Sequence, residues 1–298
     1  MRATRRGKLV LAGVLSAGVA GLLVSVLAGG VGAGGPTTPQ AAPRVDAHPR
    51  TGTASAATAS PTDEWSESAQ VRRLIALGKP IYCAAPKGDE VALTFDDGPG
   101  TYTRLAIAKL RKHGVKATFF VVGRNIQLLP QAIREERALG SVGDHTYTHP
   151  LLTALPTVQA ESEVVRTQSA LERASGEPVF LFRPPYGAHN AAIDRIAKAH
   201  NLLEILWTVD SADSLGASYA QIERNVIDGM RPGAIILMHE NHGQTIRAML
   251  SIFAALERKR LRAVSVPRLL TDDPPSDAQV RAGGSGCGAR ANVGRGGG

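Results

Sequence analysis

Two carboxylates stand side by side in Thr94-Phe95-Asp96-Asp97-Gly98-Pro99, at the end of an apolar run, Val91-Ala92-Leu93. The run reads as a buried strand, and Gly98-Pro99 as the turn that follows it. Adjacent strand side chains point to opposite faces, so the pair is expected to divide its work. One carboxylate would bind a metal while the other takes a proton. Taken alone, Asp-Asp-Gly-Pro is also a common solvated turn. His145-Thr146-Tyr147-Thr148-His149 adds two imidazoles four residues apart, which a helical or tightly turned backbone brings to one metal. Two imidazoles and one carboxylate form a catalytic zinc set that leaves a position for water.

Three further stretches end predicted strands. Arg183-Pro184-Pro185-Tyr186 presents a guanidinium fork suited to orienting Asp96. Leu237-Met238-His239 places a histidine at a strand end, and Trp207-Thr208-Val209-Asp210 ends the strand before it. Asp210 is expected to hold the ring of His239 and raise its pKa, making it an effective acid. The other histidines have structural readings. His48 lies in a linker, His113 and His200 near helix C-termini, and His189 in solvent after a turn. His242 lies in a loop and is given no role.

The elements that must position these residues alternate. Strands are predicted over Val91–Phe95, Ala117–Val122, Val179–Phe182, Leu202–Val209, Ala234–Met238 and Arg262–Val266. Between them, helices are predicted over Thr103–His113, Leu129–Leu139, Val158–Ala174, Asn190–His200, from Ser218 to about Gly229, and over Thr245–Arg258. Leu105, Ala108 and Leu110 are taken as the buried face of the first. Ser218 with Gln221 forms a capping box. Short apolar strands alternating with amphipathic helices indicate a parallel α/β architecture closed, or nearly closed, into a barrel. In such barrels the C-terminal rim of the strands is where active sites are built.

In this order, Thr94–Pro99, His145–His149, Arg183–Tyr186, Trp207–Asp213 and Leu237–His239 resemble the five motifs of the polysaccharide deacetylase family, also known as carbohydrate esterase family four or the NodB-homology domain. The resemblance runs from roughly Ile81 to Leu270. It implies a distorted (β/α) barrel of about seven units in a single catalytic domain. It implies removal of N- or O-acetyl groups from polymers such as chitin, peptidoglycan and xylan. Asp97, His145 and His149 would ligate a divalent metal, usually zinc. Asp96 would be the base, oriented by Arg183, and His239 the acid, with Asp210 as its partner. The Tyr186 backbone N–H would meet the oxyanion, and Leu237 would line the acetyl pocket. The chain departs from the family in three places. Ser214 stands where an aromatic usually follows the second aspartate. Gly140-Ser141-Val142-Gly143-Asp144 is one residue short, and Asp144 replaces the usual Asn.

Composition bounds the partners. Of the formal charge of +8, +5 falls in residues 1–50 and +2 in residues 276–298, which leaves +1 for residues 81–275. The core therefore lacks the basic face of a nucleic-acid binder. Basic residues before an uncharged run at 9–31 read as an export signal, and the run is also long enough for a retained membrane anchor. Residues 1–33 are thus a signal peptide or signal anchor. Residues 34–80 read as a flexible linker with a short helix at Glu64–Leu77, 81–272 as the catalytic domain, and 273–298 as a Gly-rich tail that frays. The exported chain is expected at the cell surface or beyond it, as a monomer acting on a polysaccharide. Cys83 and Cys287 allow a disulfide, with two free thiols as the alternative. The function expected is metal-dependent N-deacetylation of a peptidoglycan or chitin-like glycan. The alternatives are an O-acetyl xylan esterase and a non-catalytic glycan-binding protein on the same fold.

Overall fold

The central strand is buried almost throughout because it is covered on both faces. Strand β1 (Glu90–Gly98) is flanked by β2 (Ala117–Val121) and β7 (Ile235–His239), and β8 (Arg262–Val264) pairs with its first residues. The computed structural model describes residues 68–288, so the signal or anchor segment and most of the linker lie outside the described residues. The sheet runs β5-β4-β3-β2-β1-β7-β6, with every pairing between these strands parallel. Here β3 is Gly140–Asp144, β4 Leu181–Phe182, β5 Leu203–Glu204 and β6 Val209–Asp210.

The strand predicted over Leu202–Val209 is two short strands at opposite ends of this order. Ile205 N–H donates to Phe182 at 2.8 Å, while Thr208 N–H donates to Ile235 at 3.0 Å. One segment thus serves both edges and curls the sheet into the distorted barrel expected. Parallel strands need crossovers, and the helices α2 (Thr103–His113), α3 (Pro130–Leu139), α4 (Thr157–Ser175), α5 (Ala191–Ala199), α6 (Tyr219–Gly229) and α7 (Gly243–Lys259) supply them.

Alternation along β1 sorts the core. Val91, Leu93 and Phe95 pack outward with Ala106, Ile107, Leu110 and Met249 of the helices. Ala92 packs inward with Phe120, Leu203 and Leu237, under helices α1 (Ala69–Leu77) and α8 (Val266–Asp272). The buried face of α2 is Thr103, Ala106, Ile107 and Leu110, spaced as one helical stripe; Leu105 and Ala108 face solvent. The Ser218–Gln221 capping box is present, with Gln221 Oε1 accepting from the Ser218 N–H at 2.8 Å.

The C-terminal part of the chain differs from expectation at two points. Strand β8 stops at Val264 because Ser265 caps α8, with Pro267 in its first turn. The tail expected to fray carries helix α9 (Asp277–Arg281), tied to α1 by the Arg73–Asp277 ion pair. Cys83 and Cys287 are disulfide-bonded, their Cα atoms 6.0 Å apart. The short segment before His145 leaves no slip in β3, which pairs residue for residue with β2 from Ala117↔Gly140 to Val121↔Asp144. Helix α3 instead runs straight into the strand, and a Cβ at Gly140 would strike the Ala117 carbonyl.

Candidate active site

Asp96 follows the inward alternation of Ala92 and Thr94; Asp97 does not follow the outward one. The β1–β2 register shifts between Asp96 and Gly98, and Asp97 sits at φ 72°. This left-handed bulge turns the second carboxylate back toward the first. The expectation that neighbouring carboxylates face apart is corrected here: one histidine, His145, lies 3.7 Å from Asp96 and 3.6 Å from Asp97. Aspartate tolerates the left-handed region better than most residues. Asn125 Nδ2 holds the bulge by donating to the Asp97 carbonyl at 3.0 Å. Gly98 is required next, because a Cβ there would occupy the space of the Glu240 carboxyl.

His145 leaves the end of β3, and His149 follows through a tight turn with Thr146 at φ 65° and His149 at φ 64°. The rings stand 4.8 Å apart, edge to face. His145 Nδ1 donates to the Arg183 carbonyl at 2.7 Å, which leaves Nε2 as the lone pair facing Asp97. His149 Nε2 lies 3.4 Å from the same Asp97 oxygen. That oxygen, Oδ1, is buried and has no hydrogen-bond partner. Burial, with His145 nearby, lowers the pKa of His149 and keeps its imidazole neutral. The Asp97 carboxyl is held below the ordinary range: burial opposes this, but His145, His239 and His149 outweigh it. An ionised carboxylate with an orphaned oxygen and two imidazole lone pairs converge within 4.8 Å, which fits one divalent cation.

Arg183 is fully buried where β4 ends. Its Nη1 donates to Asp96 Oδ1 at 2.7 Å and to Thr94 Oγ1 at 2.8 Å; its Nε donates to the Ile205 carbonyl at 3.0 Å. The guanidinium lies 4.0 Å over the Phe120 ring. Burial lowers its pKa and Asp96 opposes that, so the pair is a desolvated ion pair with its geometry fixed on several sides.

His239 lies opposite Asp96 across the β1–β7 register. Its partner is Asp213, not Asp210. Asp213 Oδ1 accepts from His239 Nδ1 at 2.7 Å, and Oδ2 accepts from the His239 backbone N–H at 2.7 Å and from the Thr245 hydroxyl. Burial alone would lower the His239 pKa; the Asp213 carboxylate outweighs it and pushes the value up to about 9. The reciprocal effect takes Asp213 down to about 2 against its own burial. Asp210 ends β6 and caps the next turn, accepting from Ala212 N–H at 2.7 Å. Ala212 at φ 60° then swings Asp213 beneath β7. Strand-end reasoning chose Asp210 because Asp213 lies beyond the strand, in a turn whose direction spacing does not reveal.

Tyr186 sits at φ 63° with its ring centroid 4.9 Å from that of His149, edge to face, so its backbone borders the ligand set. Leu237 is buried one alternation below His239, opposite Thr94. Asn241, which sequence reasoning passed over, brings Nδ2 to 3.4 Å from Asp97 Oδ2. At position 144 the buried carboxyl accepts from Thr146 N–H at 2.7 Å through Oδ1, while Oδ2 has no partner. Burial pushes its pKa well above the ordinary carboxylate value. His189, read as solvated, is half-buried against Asp194 at 3.0 Å.

The profile of the polysaccharide deacetylase family matches residues 84–205. A peptidoglycan-N-acetylglucosamine deacetylase from Bacillus cereus is 35% identical over 186 residues, covering 60% of this chain and 68% of the relative. Several other curated relatives are longer, and the chain spans 26% to 40% of their length. A solved peptidoglycan N-acetylglucosamine deacetylase superposes with a TM-score of 0.61 at 32% identity, covering 63% of this chain and 91% of that one. A family-four pseudoenzyme from Bacillus anthracis gives the same TM-score at 30% identity, covering 64% of this chain and 68% of that one. The chain belongs to the polysaccharide deacetylase family, carbohydrate esterase family four.

Proposed function

We propose that the chain is an exported, zinc-dependent N-deacetylase that hydrolyses the acetamido groups of N-acetylglucosamine units in peptidoglycan. The observation that carries this reading is the placing of two separately held groups, a carboxylate and an imidazole, around one ligand set. Asp96 is fixed by Arg183 and His239 by Asp213, on neighbouring strands, beside Asp97, His145 and His149. Relatives named as peptidoglycan deacetylases support the substrate class. The basic residues before the uncharged run at 9–31 support export, with cleavage or retention as an anchor both open to the segment.

The divisions of labour follow from the contacts. Asp97, His145 and His149 would hold the cation, which when bound supplies an activated water and draws charge from the acetyl oxygen. Arg183 pins Asp96 Oδ1, so Oδ2, on the side of His145, accepts the proton of the attacking water. The Tyr186 N–H donates to the developing oxyanion, a contact of the kind worth about 3 kcal/mol. Leu237 receives the acetyl methyl. Asp213 occupies His239 Nδ1, so Nε2 carries the proton given to the departing amine. That proton is needed because an amide anion is a very poor leaving group. Amide and water thus become acetate and a free amino sugar.

The competing reading is a glycan-binding protein without turnover, since the fold also carries a pseudoenzyme. The retention of base, acid and both of their positioning partners favours the enzyme. The test is acetate release by the full chain from N-acetylglucosamine oligomers, peptidoglycan and acetylated xylan, with chelator and with zinc restored. Chelator-sensitive release from the first two is expected. Release from xylan alone would make it an O-acetyl esterase, and zinc binding without release from any of the three would favour the binding protein.

A further inference from the structure

A second cluster of potential ligands lies outside the site described. His189 closes the turn that carries Tyr186, Asp194 lies in the first turn of α5, and Glu204 ends β5. His189 Nδ1 stands 3.0 Å from Asp194 Oδ1 and 3.8 Å from Glu204 Oε1. One donor atom from each lies within 4.8 Å of the others. Ligands bound at about 2.1 Å to a single ion sit roughly 3.0–3.4 Å apart in octahedral or tetrahedral arrangements, a range that the 3.0 Å contact meets and the 3.8 Å contact approaches.

Glu204 makes the cluster more than a group of neighbouring charges. It is 3% exposed, and neither carboxylate oxygen has a hydrogen-bond partner. A buried carboxylate left this way is costly unless a proton or a cation meets it. Burial, with Asp194 close by, pushes its pKa up to about 8, the same cost in another form. Lys79 approaches Asp194 through the other oxygen, Oδ2, at 3.8 Å, and is itself half exposed. On the far side of the ring, the Tyr82 hydroxyl lies 3.4 Å from His189 Nε2, in place to accept its proton. Without an ion, Nδ1 donates to Asp194 Oδ1 at 3.0 Å; a cation at Nδ1 would displace that proton, and the Tyr82 hydroxyl is placed to accept it on Nε2. Asp194 and Glu204 also line a small cleft with Leu74, Gly78, Lys79 and Lys198.

We propose that His189, Asp194 and Glu204 form a second, structural site for a first-row divalent cation. The ion would clamp the Tyr186 turn to α5 and β5. One imidazole with two carboxylates suits zinc or manganese.

The test uses the full-length chain, stripped with chelator, dialysed against Zn²⁺ and assayed for bound metal by mass spectrometry. Two zinc ions per chain are expected in the wild type, one in Glu204→Gln, one in His149→Ala, and none in the double variant. His189→Ala, which alters a half-exposed ring, guards against misfolding of the Glu204 variant and should also hold one. Zinc should raise the melting temperature of His149→Ala, and that rise should vanish in His149→Ala/His189→Ala. Two ions kept by both Glu204→Gln and His189→Ala overturn the site. So does a single ion lost only with His149→Ala. A single ion lost only with Glu204→Gln would keep this site and overturn the catalytic ligand set, so the two readings fail separately.

Discussion

Replacing Asp213 by Asn tests the assignment of His239 as the acid. The carboxylate accepts from the His239 ring, the His239 backbone N–H and the Thr245 hydroxyl. An amide cannot accept on both sides, so one of these bonds is lost whichever way it turns. The ring then loses its counter-charge while its burial remains. His239 should fall from about 9 to the ordinary histidine value or below. Each pKa unit is about 1.4 kcal/mol, so the net favouring of the imidazolium, after burial has opposed it, is about 3 kcal/mol. The group's folded value is raised. Its stabilisation is therefore complete below about 6.5 and is lost as pH rises through about 9.

The assay is kcat/KM for acetate release across pH 6–10, with the zinc content of each sample checked. In the wild type the alkaline limb should lie near 9. In Asp213→Asn it should move down by about two units or more, with roughly a 10²-fold loss at pH 8.5 and a smaller loss at pH 6. Asp210→Asn should leave the limb in place. An unmoved limb in Asp213→Asn, or an equal movement in Asp210→Asn, would refute the assignment.

Other expectations follow from single contacts. Asp96→Asn should lower turnover at least about 10²-fold while the bound zinc is kept, since Asp96 is held by Arg183 rather than assigned to the ligand set; metal analysis alongside the rate checks this. The same change leaves a buried guanidinium without its charge partner, so chemical denaturation should show a loss of up to about 3–5 kcal/mol. Reducing agent should lower the melting temperature by several degrees, because the Cys83–Cys287 bond closes a loop of 204 residues and such bonds contribute about 2–5 kcal/mol. Asp144→Asn should melt no lower than the wild type at pH 8. The folded pKa of Asp144 is raised, so its stability falls as pH rises above the unfolded carboxyl value, and the amide removes that fall. A lower melting temperature at pH 8, with none at pH 4, would refute this.

The legible part of this protein was whatever depends on local pattern. Apolar strands alternating with amphipathic helices imply a parallel barrel. The strand-end positions of Asp96, His145, Arg183 and His239 gather them on one rim, and the Ser218-Tyr219-Ala220-Gln221 spacing needs no more than its own helix to form a cap. What local pattern does not carry is the direction of the chain after a strand ends. Asp97 joins Asp96 because a left-handed bulge overrides alternation, and that bulge exists where Asn125 and Glu240 close around it from distant segments. Asp213 displaces Asp210 because one left-handed residue, Ala212, aims the turn under β7. The segment 202–209 reads as one strand because periodicity does not see the two edges it must serve. The tail from 273 reads as frayed because its helix is held by Arg73 and Cys83, some two hundred residues away. Residue chemistry and periodicity are local quantities; backbone direction at a bulge, and the partners that stabilise it, are set by contacts that form when distant segments pack.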